Sequence, residues 1–169
     1  MDRSDKMRDY VKAILTIIAV FVAHTILGKI SKEIPIALNL FTVIVIYFAM
    51  LKGEISGAFT GAVCGLIQDS FSFGVFGVAG LATTLTGYLA GVISSKIYVL
   101  SFFRNFLFIS ILTIFQLVIW KCMHFFVSSE PFFSGSIVIL FQPFFNALAG
   151  SLFFPVFRKF FRPISADDQ

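Results

Sequence analysis

The chain has 169 residues, of which 58% are hydrophobic and 13% are charged, and phenylalanine alone occurs 24 times. This composition excludes an ordinary soluble domain and predicts an integral membrane protein. The apolar runs recur along the whole chain, each about as long as the roughly 20 residues that a helix needs to cross a bilayer, so we expect no separate soluble domain. The net charge is +4. In a membrane protein the positions of the charges along the chain are more informative than their sum, and we expect no nucleic-acid partner.

Six apolar segments follow one another and predict an all-α integral membrane protein, a bundle of six transmembrane helices in a single domain spanning residues 1–169. Their approximate bounds are residues 11–28, 35–51, 53–71, 73–95, 102–127 and 131–157. Pro35 and Pro131 each follow a short polar stretch, as suits proline in the first turn of a helix. We predict that the first segment is a retained helix, because Gly28 precedes Lys29 rather than a small-residue cleavage pattern, with a signal peptide as the alternative.

The positions of lysine and arginine predict the orientation of these helices. Ten of the 13 basic residues lie at the two ends of the chain, after the second segment, or around the connection between the fourth and fifth segments. Lys29 and Lys32 lie between the first two segments, and Lys121 lies within the fifth. Because basic residues concentrate on the cytoplasmic side of a membrane, we expect both termini in the cytoplasm.

The third segment carries glycines at every fourth position, of which Gly57, Gly61 and Gly65 lie within about 80° of one another on a helix. Small residues at this spacing let two helices approach closely in lipid. The fourth segment has a matching small face formed by Gly77, Gly80, Thr84, Gly87 and Gly91. We expect these two helices to pack on each other through a hairpin at residues 70–74, with use of the groove by a partner's helix as the alternative.

Asp69 lies near the outer end of the third segment, beside Gln68. An ionised carboxylate is costly in hydrocarbon, so it should be paired, hydrogen-bonded or at the interface. One interpretation pairs Asp69 with Lys121 of the fifth segment. The other has Asp69 cap the fourth helix while Lys121 extends towards the headgroups.

In the last segment, Gln142, Asn146 and Gly150 form another stripe with a step of four, and Pro143 is predicted to kink the helix. Amides in membrane helices commonly form hydrogen bonds between helices, which is our interpretation of Gln142 and Asn146. Lining of a substrate cavity is the alternative.

Chemical signatures are scarce in this sequence. His24 and His124 are expected to form hydrogen bonds between helices, because no Cys, Asp or Glu accompanies them at metal-ligand spacing. Cys64 and Cys122 fall within apolar segments, where cysteine acts as a small hydrophobic residue. Without a Walker loop, an H-E-x-x-H motif or a nucleophile elbow, we expect neither an enzyme nor a cofactor.

The run from Gly61 to Gly91 resembles the signature region of the rod shape-determining MreD family. That region carries a glycine-rich helix, a Gly-Leu-x-x-Asp element, a short Ser/Gly turn and a Gly-Tyr-Leu element. Here these elements are Gly65, Leu66 and Asp69, then Ser72, Gly74, Phe76 and Gly77, then Gly87, Tyr88 and Leu89. The resemblance extends to Pro35, to residues 103–105 (FRN) and to the basic tail at residues 155–162.

This resemblance implies a multi-pass protein of the bacterial inner membrane that belongs to the lateral cell-wall elongation machinery. It implies a scaffold without activity of its own, which binds an MreC-like bitopic protein. Through MreC it would associate with MreB, RodZ, RodA and a class B penicillin-binding protein, and so regulate peptidoglycan synthesis. Contact with membrane lipid is expected, and homo-oligomer formation is left open.

The family is also similar in architecture to the S-components of energy-coupling factor vitamin transporters, whose six helices include a small-x-x-x-small pair in the first. Ala19 and Ala23 fit such a pair. Those transporters use a longer first external loop to close over the vitamin, whereas residues 28–34 leave only a few residues here. A substrate-binding S-component is therefore the alternative function.

Overall fold

The computed structural model describes residues 3–71, 75–96, 101–128 and 137–161, and every regular element in these ranges is helical. The helices are α1 (Arg3–Ile30), α2 (Glu33–Ala37), α3 (Leu40–Lys52), α4 (Glu54–Phe71), α5 (Val78–Ser94), α6 (Phe102–Ser128), a 3-10 helix (Ile137–Phe141) and α7 (Gln142–Phe161). Helix α3 is central, because it packs against α1, α4, α5, α6 and α7.

Four helical stretches are long and apolar enough to cross a membrane: Val11–Ile30, Glu33–Lys52, Phe102–Val127 and Ile137–Lys159. Helix α5 is apolar but shorter, at 17 residues, and α4 contains Glu54, Gln68 and Asp69. The prediction of an all-helical membrane protein is confirmed. Membrane crossing by all six predicted segments, with both termini in the cytoplasm, stays a prediction.

Helix α1 is longer than its predicted segment and lies at the edge of the bundle. No residue of Val11–Ile30 is buried, and α1 packs mainly against α2 and α3. Ile14, Ile18 and Val22 are exposed. Such side chains suit contact with lipid.

The second predicted segment, residues 35–51, falls within the apolar stretch Glu33–Lys52, but its helix is interrupted. Helix α2 ends before Leu38, whose backbone is extended at φ −126° and ψ 96°, and α3 starts after Asn39. The side chain of Asn39 accepts a hydrogen bond from the Thr42 backbone N–H at 3.3 Å. Asparagine prefers this N-cap position to a helix interior, which explains the break.

Residues 41–49 of α3 are buried on every side of the helix. Tyr47 and Phe48 form aromatic contacts with the end of α7, where the ring centroids of Tyr47 and Phe157 are 4.9 Å apart and those of Phe48 and Phe161 are 5.1 Å apart. The Tyr47 hydroxyl donates to the carbonyl of Gly150. Dense packing around α3 supplies the dispersion energy that replaces the hydrophobic effect in lipid.

Two glycines set the limits of α4 and α5 differently from the prediction. Gly53 ends α3 at φ 88°, where glycine is favoured, so α4 begins at Glu54. Gly77 has φ 95° and precedes α5, which begins at Val78 rather than at residue 73. Residues 72–74 of the predicted hairpin lie outside the described part of the chain.

Helix α6 follows its predicted segment closely, whereas the last segment differs. The start of that segment, including Pro131, lies outside the described residues. Pro143 is the second residue of α7, which follows the 3-10 helix Ile137–Phe141 without a break, so the change from 3-10 to α-helix lies at this proline. Proline is favoured in the first turn of an α-helix, as here, and a kink at Pro143 stays a prediction.

Candidate functional site

The glycine faces of α4 and α5 bring the two backbones into direct contact. A Cβ atom added to Gly57 would lie within 3 Å of the Gly87 carbonyl, and one added to Gly61 would lie within 3 Å of the Thr83 carbonyl. Real Cβ atoms essentially never come this close to backbone. The stripe therefore requires glycine because α5 occupies the space that a side chain would need.

The remaining glycines of the stripe extend the contact along both helices. A Cβ at Gly65 would lie within 3 Å of the Ala79 carbonyl, and one at Gly91 would meet the backbone of Glu54 equally closely. Gly80 is less restricted, since its nearest neighbour would be the flexible side chain of Leu66 at 3.3 Å. The structure thus contains the intrachain packing that the spacing predicts, and α5 fills the groove that the alternative assigns to a partner's helix.

Thr83 adds a polar link across the same contact. Its fully buried hydroxyl oxygen lies 2.7 Å from the carbonyl oxygen of Gly61 on α4 and 2.7 Å from that of Ala79 on its own helix. One hydroxyl proton serves one of these acceptors at a time. Thr83 therefore joins α4 to α5 without leaving its donor unpaired.

Asp69 caps the first turn of α5 from the end of α4. One carboxylate oxygen accepts from the backbone N–H groups of Gly77 and Gly80, both at 2.9 Å, and the other accepts from Ala79 N–H at 3.1 Å. The side chain is 6% exposed. These are donors that a helix start leaves without intrahelical acceptors, and the helix dipole favours a negative charge there.

The capping interpretation of Asp69 is therefore confirmed. The Lys121 ammonium lies 5.6 Å from the centroid of the Trp120 ring. Pairing of Lys121 with Asp69 stays a prediction.

Three amides form a hydrogen-bonded group where α3 begins. The fully buried Asn146 of α7 accepts from the Asn39 backbone N–H at 2.8 Å through its Oδ1. The amide nitrogen of Asn39 donates to Oε1 of Gln68, on α4, at 3.3 Å. Asn146 and Gln68 thus connect three helices, as predicted for amides between membrane helices.

A cavity of about 440 Å³ lies beside this group, at one end of the bundle. Helices α1 and α4 end there, α3, α5 and α7 begin there, and the second half of α6 forms a further wall. The lining residues are mostly aromatic or apolar, with an imidazole and four amides: Phe21, His24, Thr25, Gly28, Pro35, Ile36, Asn39, Phe41, Gln68, Phe71, Ala79, Gln116, Leu117, Trp120, Ile139 and Gln142.

Two of these amides are buried with hydrogen-bonding capacity left unused. Gln116 and Gln142 are 6% and 5% exposed, and Oε1 of each has no hydrogen-bond partner in the described part of the chain. Gln142 thus lines a cavity, whereas Asn146 joins helices, and use of the cavity by a substrate stays a prediction. The two amides of the stripe formed by Gln142, Asn146 and Gly150 therefore have different roles.

For His24 the expected hydrogen bond between helices is missing at one ring nitrogen, and for His124 it stays a prediction. Nδ1 of His24 is buried without a partner among the described residues, and its ring packs 5.0 Å from the ring of Phe41. His124 packs 5.2 Å from Trp120 on the same helix. No group of three His, Cys, Asp or Glu residues that could hold a metal ion occurs in the ranges that the structure describes.

Sequence reasoning missed Asn39, Thr83 and Gln116. An asparagine directly before an apolar run is a typical helix-start signal, so Asn39 was detectable. Gln116 is an isolated amide in an apolar segment, the same signal that Gln142 carries. The contact of Thr83 with Gly61 depends on the pairing of two helices, which no local pattern shows.

Apolar helices joined by backbone contacts, with most of their buried amides near one end, define a polytopic helical membrane protein whose buried polar groups serve packing and a cavity. The model of the rod shape-determining protein MreD family matches residues 6–164. The chain therefore belongs to the MreD family, as its signature region predicts. No curated protein and no solved structure matches the chain, and the likeness to the S-component fold stays a prediction.

Proposed function

We propose that this protein is a non-enzymatic scaffold in the bacterial inner membrane that regulates the cell-wall elongation complex. Its partners are an MreC-like bitopic protein and, directly or through it, RodA, a class B penicillin-binding protein, RodZ and MreB. The family match over residues 6–164 carries the proposal, because membership implies a role in rod shape determination.

The architecture supports a scaffold that works within the bilayer. Between described helices, the connections are short: two residues separate α1 from α2, and Gly53 alone separates α3 from α4. Little of the described chain is therefore available to bind partners in solution. The α4–α5 groove is occupied by the chain itself, so a partner's transmembrane helix has to bind a lipid-facing surface.

Depletion of the protein in its own bacterium tests the proposal. Rod-shaped cells are expected to become round, and re-expression of the wild-type chain should restore rods. An affinity-tagged chain should also co-purify the MreC-like protein. Rod shape maintained after complete depletion would contradict the shape role, and purification without the MreC-like protein would contradict the proposed partner.

The proposed orientation is testable by cysteine labelling in intact cells. With both termini in the cytoplasm, Lys32→Cys at the start of α2 should react with a membrane-impermeant maleimide, and Lys96→Cys after α5 should react only after lysis. Both lysines are exposed. The reverse labelling pattern would show the opposite orientation.

One observation favours the alternative of a vitamin-binding S-component, namely the cavity of about 440 Å³. Against it, α1 and α2 are separated only by Ser31 and Lys32, too short a connection for a lid. Such a component should co-purify with a vitamin and with a coupling subunit. If the protein is a scaffold, we expect it to co-purify with neither a vitamin nor a coupling subunit.

A further inference from the structure

The cavity contains hydrogen-bonding capacity that the fold does not use. Gln116 on α6 and Gln142 on α7 are each more than nine-tenths buried, and each has an unpartnered Oε1 among the described residues. The ring nitrogen Nδ1 of His24, in the same wall, is a third. Seven buried polar side-chain atoms lack a partner among the described residues, and three of them belong to residues that line this cavity. Buried polar groups are nearly always paired, so their concentration in one wall indicates a missing partner.

The size of the cavity points to a ligand rather than a single structural water. Its volume of about 440 Å³ lies within the roughly 300–1,000 Å³ that is typical of small-molecule sites. A mostly apolar wall with a few convergent polar groups is also typical of such sites.

The wall also restricts the charge of the ligand. The described lining residues include no Asp, Glu, Lys or Arg. An ionised group would lose its hydration there without gaining a counter-charge, which is costly at membrane depth. The ligand is therefore uncharged, and the aromatic rings of Phe41, Phe71 and Trp120 favour a ligand with an apolar face.

The polar groups of the wall select the functional group of the ligand. A glutamine amide presents a donor at one end and an acceptor at the other, and neutral imidazole likewise carries one of each. A hydroxyl both donates and accepts, so it can satisfy an amide or an imidazole in either orientation. Several hydroxyls on one small group would satisfy Gln116, Gln142 and His24 together.

We propose that this cavity binds an uncharged, hydroxyl-bearing group, such as glycerol or a sugar ring, with its apolar face against the aromatic wall. The group comes either from a neutral lipid headgroup or from a free polyol or sugar. The site is independent of the scaffold role, because it rests on the cavity and its unpaired amides alone.

Tryptophan fluorescence measures occupancy of the site, since Trp120 is the single tryptophan of the chain and lines the cavity. The full chain is reconstituted in liposomes of dioleoylphosphatidylcholine, which has no headgroup hydroxyl and adds no tryptophan. Glucosyl-diacylglycerol added to the liposomes tests the lipid source, and free glucose and glycerol in the buffer test the soluble source. A saturable fluorescence change with a rise in unfolding temperature is expected in at least one arm.

Variants link the signal to the amides. Gln116→Leu and Gln142→Leu should each weaken binding about tenfold or more, the equivalent of one lost hydrogen bond in a buried site. Thr113→Val is the matched control on α6, because its hydroxyl donates to Ile109 of its own helix and lies outside the cavity lining. This variant should bind like the wild type.

Two results would overturn the proposal. One is the absence of a saturable response of the wild-type protein in both arms, which needs no variant and would indicate a cavity filled by water. The other is unchanged affinity in both glutamine variants, with unfolding temperatures that show the variants to be folded.

Discussion

Where α4 meets α5, the carboxylate of Asp69 accepts three backbone hydrogen bonds and the hydroxyl of Thr83 lies within bonding distance of carbonyls on both helices. At the cavity, Gln116 and Gln142 are buried just as deeply and leave an oxygen unpaired within the described ranges. Burial alone therefore does not separate a structural polar group from one available to a ligand. Whether the fold supplies a hydrogen-bond partner has to be considered as well, and the variants below compare the α4–α5 contact with the cavity.

The largest loss of stability is expected where the two backbones touch. Gly61→Ala places a methyl group within 3 Å of the backbone of Thr83 and Thr84, and the helices must separate to accept it. The free energy of unfolding in detergent should fall by about 3 kcal/mol, as overpacking of a rigid contact does.

The matched control is Gly28→Ala in α1, where the new Cβ would lie 3.5 Å from the Pro35 side chain, an ordinary van der Waals distance. Its stability should stay within about 1 kcal/mol of the wild type, the range of helix propensity. Equal effects of the two substitutions on thermal unfolding would show that the α4–α5 contact is not tightly packed.

Removal of the cap of α5 comes next. Asp69→Ala leaves the N–H groups of Gly77, Ala79 and Gly80 without their acceptor, and the free energy of unfolding should fall by about 2 kcal/mol. Ser70→Ala is the control, since that exposed hydroxyl donates to Leu66 within α4. Amide hydrogen exchange at the start of α5 should rise in the Asp69 variant and not in the Ser70 variant.

A smaller effect is expected at Thr83. Thr83→Val keeps the shape and removes the hydroxyl that reaches Gly61, so stability should fall by about 1 kcal/mol, as for polar links between membrane helices. Thr84→Val removes a hydroxyl that donates to Gly80 in its own helix and should change stability less. A similar loss in both variants, measured by thermal unfolding, would argue against a link between helices at Thr83.

The smallest effect, of opposite sign, is expected at the cavity. Gln142→Met removes a buried amide whose Oε1 is unpaired, so the ligand-free protein should keep its stability or gain up to about 1 kcal/mol. Asn146→Leu, one turn further along α7, removes the acceptor of the Asn39 N–H and should be destabilising. If both substitutions destabilise the protein equally in urea unfolding, Gln142 has a structural role that the hydrogen bonds do not show.

Local patterns in the sequence predicted the α4–α5 contact well. Glycines at every fourth position define one face of α4, and the next helix along the chain, α5, carries a matching face of small residues. Local patterns failed at Asn39, where the apolar run on both sides outweighed the helix-start signal. The cavity was beyond such reasoning. Its wall combines side chains such as His24, Gln68 and Gln142, whose proximity depends on how all the helices pack.

The sequence separation of these contacts also sets the order in which they can form during synthesis. The link from Thr83 to Gly61 spans 22 residues, so α4 and α5 can pair as soon as both have left the ribosome. The bond between Asn39 and Asn146 spans 107 residues, and Gln142 is the first residue of α7. The hairpin is thus available as an early folding unit, whereas the ligand site is complete only after the last helix has been made and inserted.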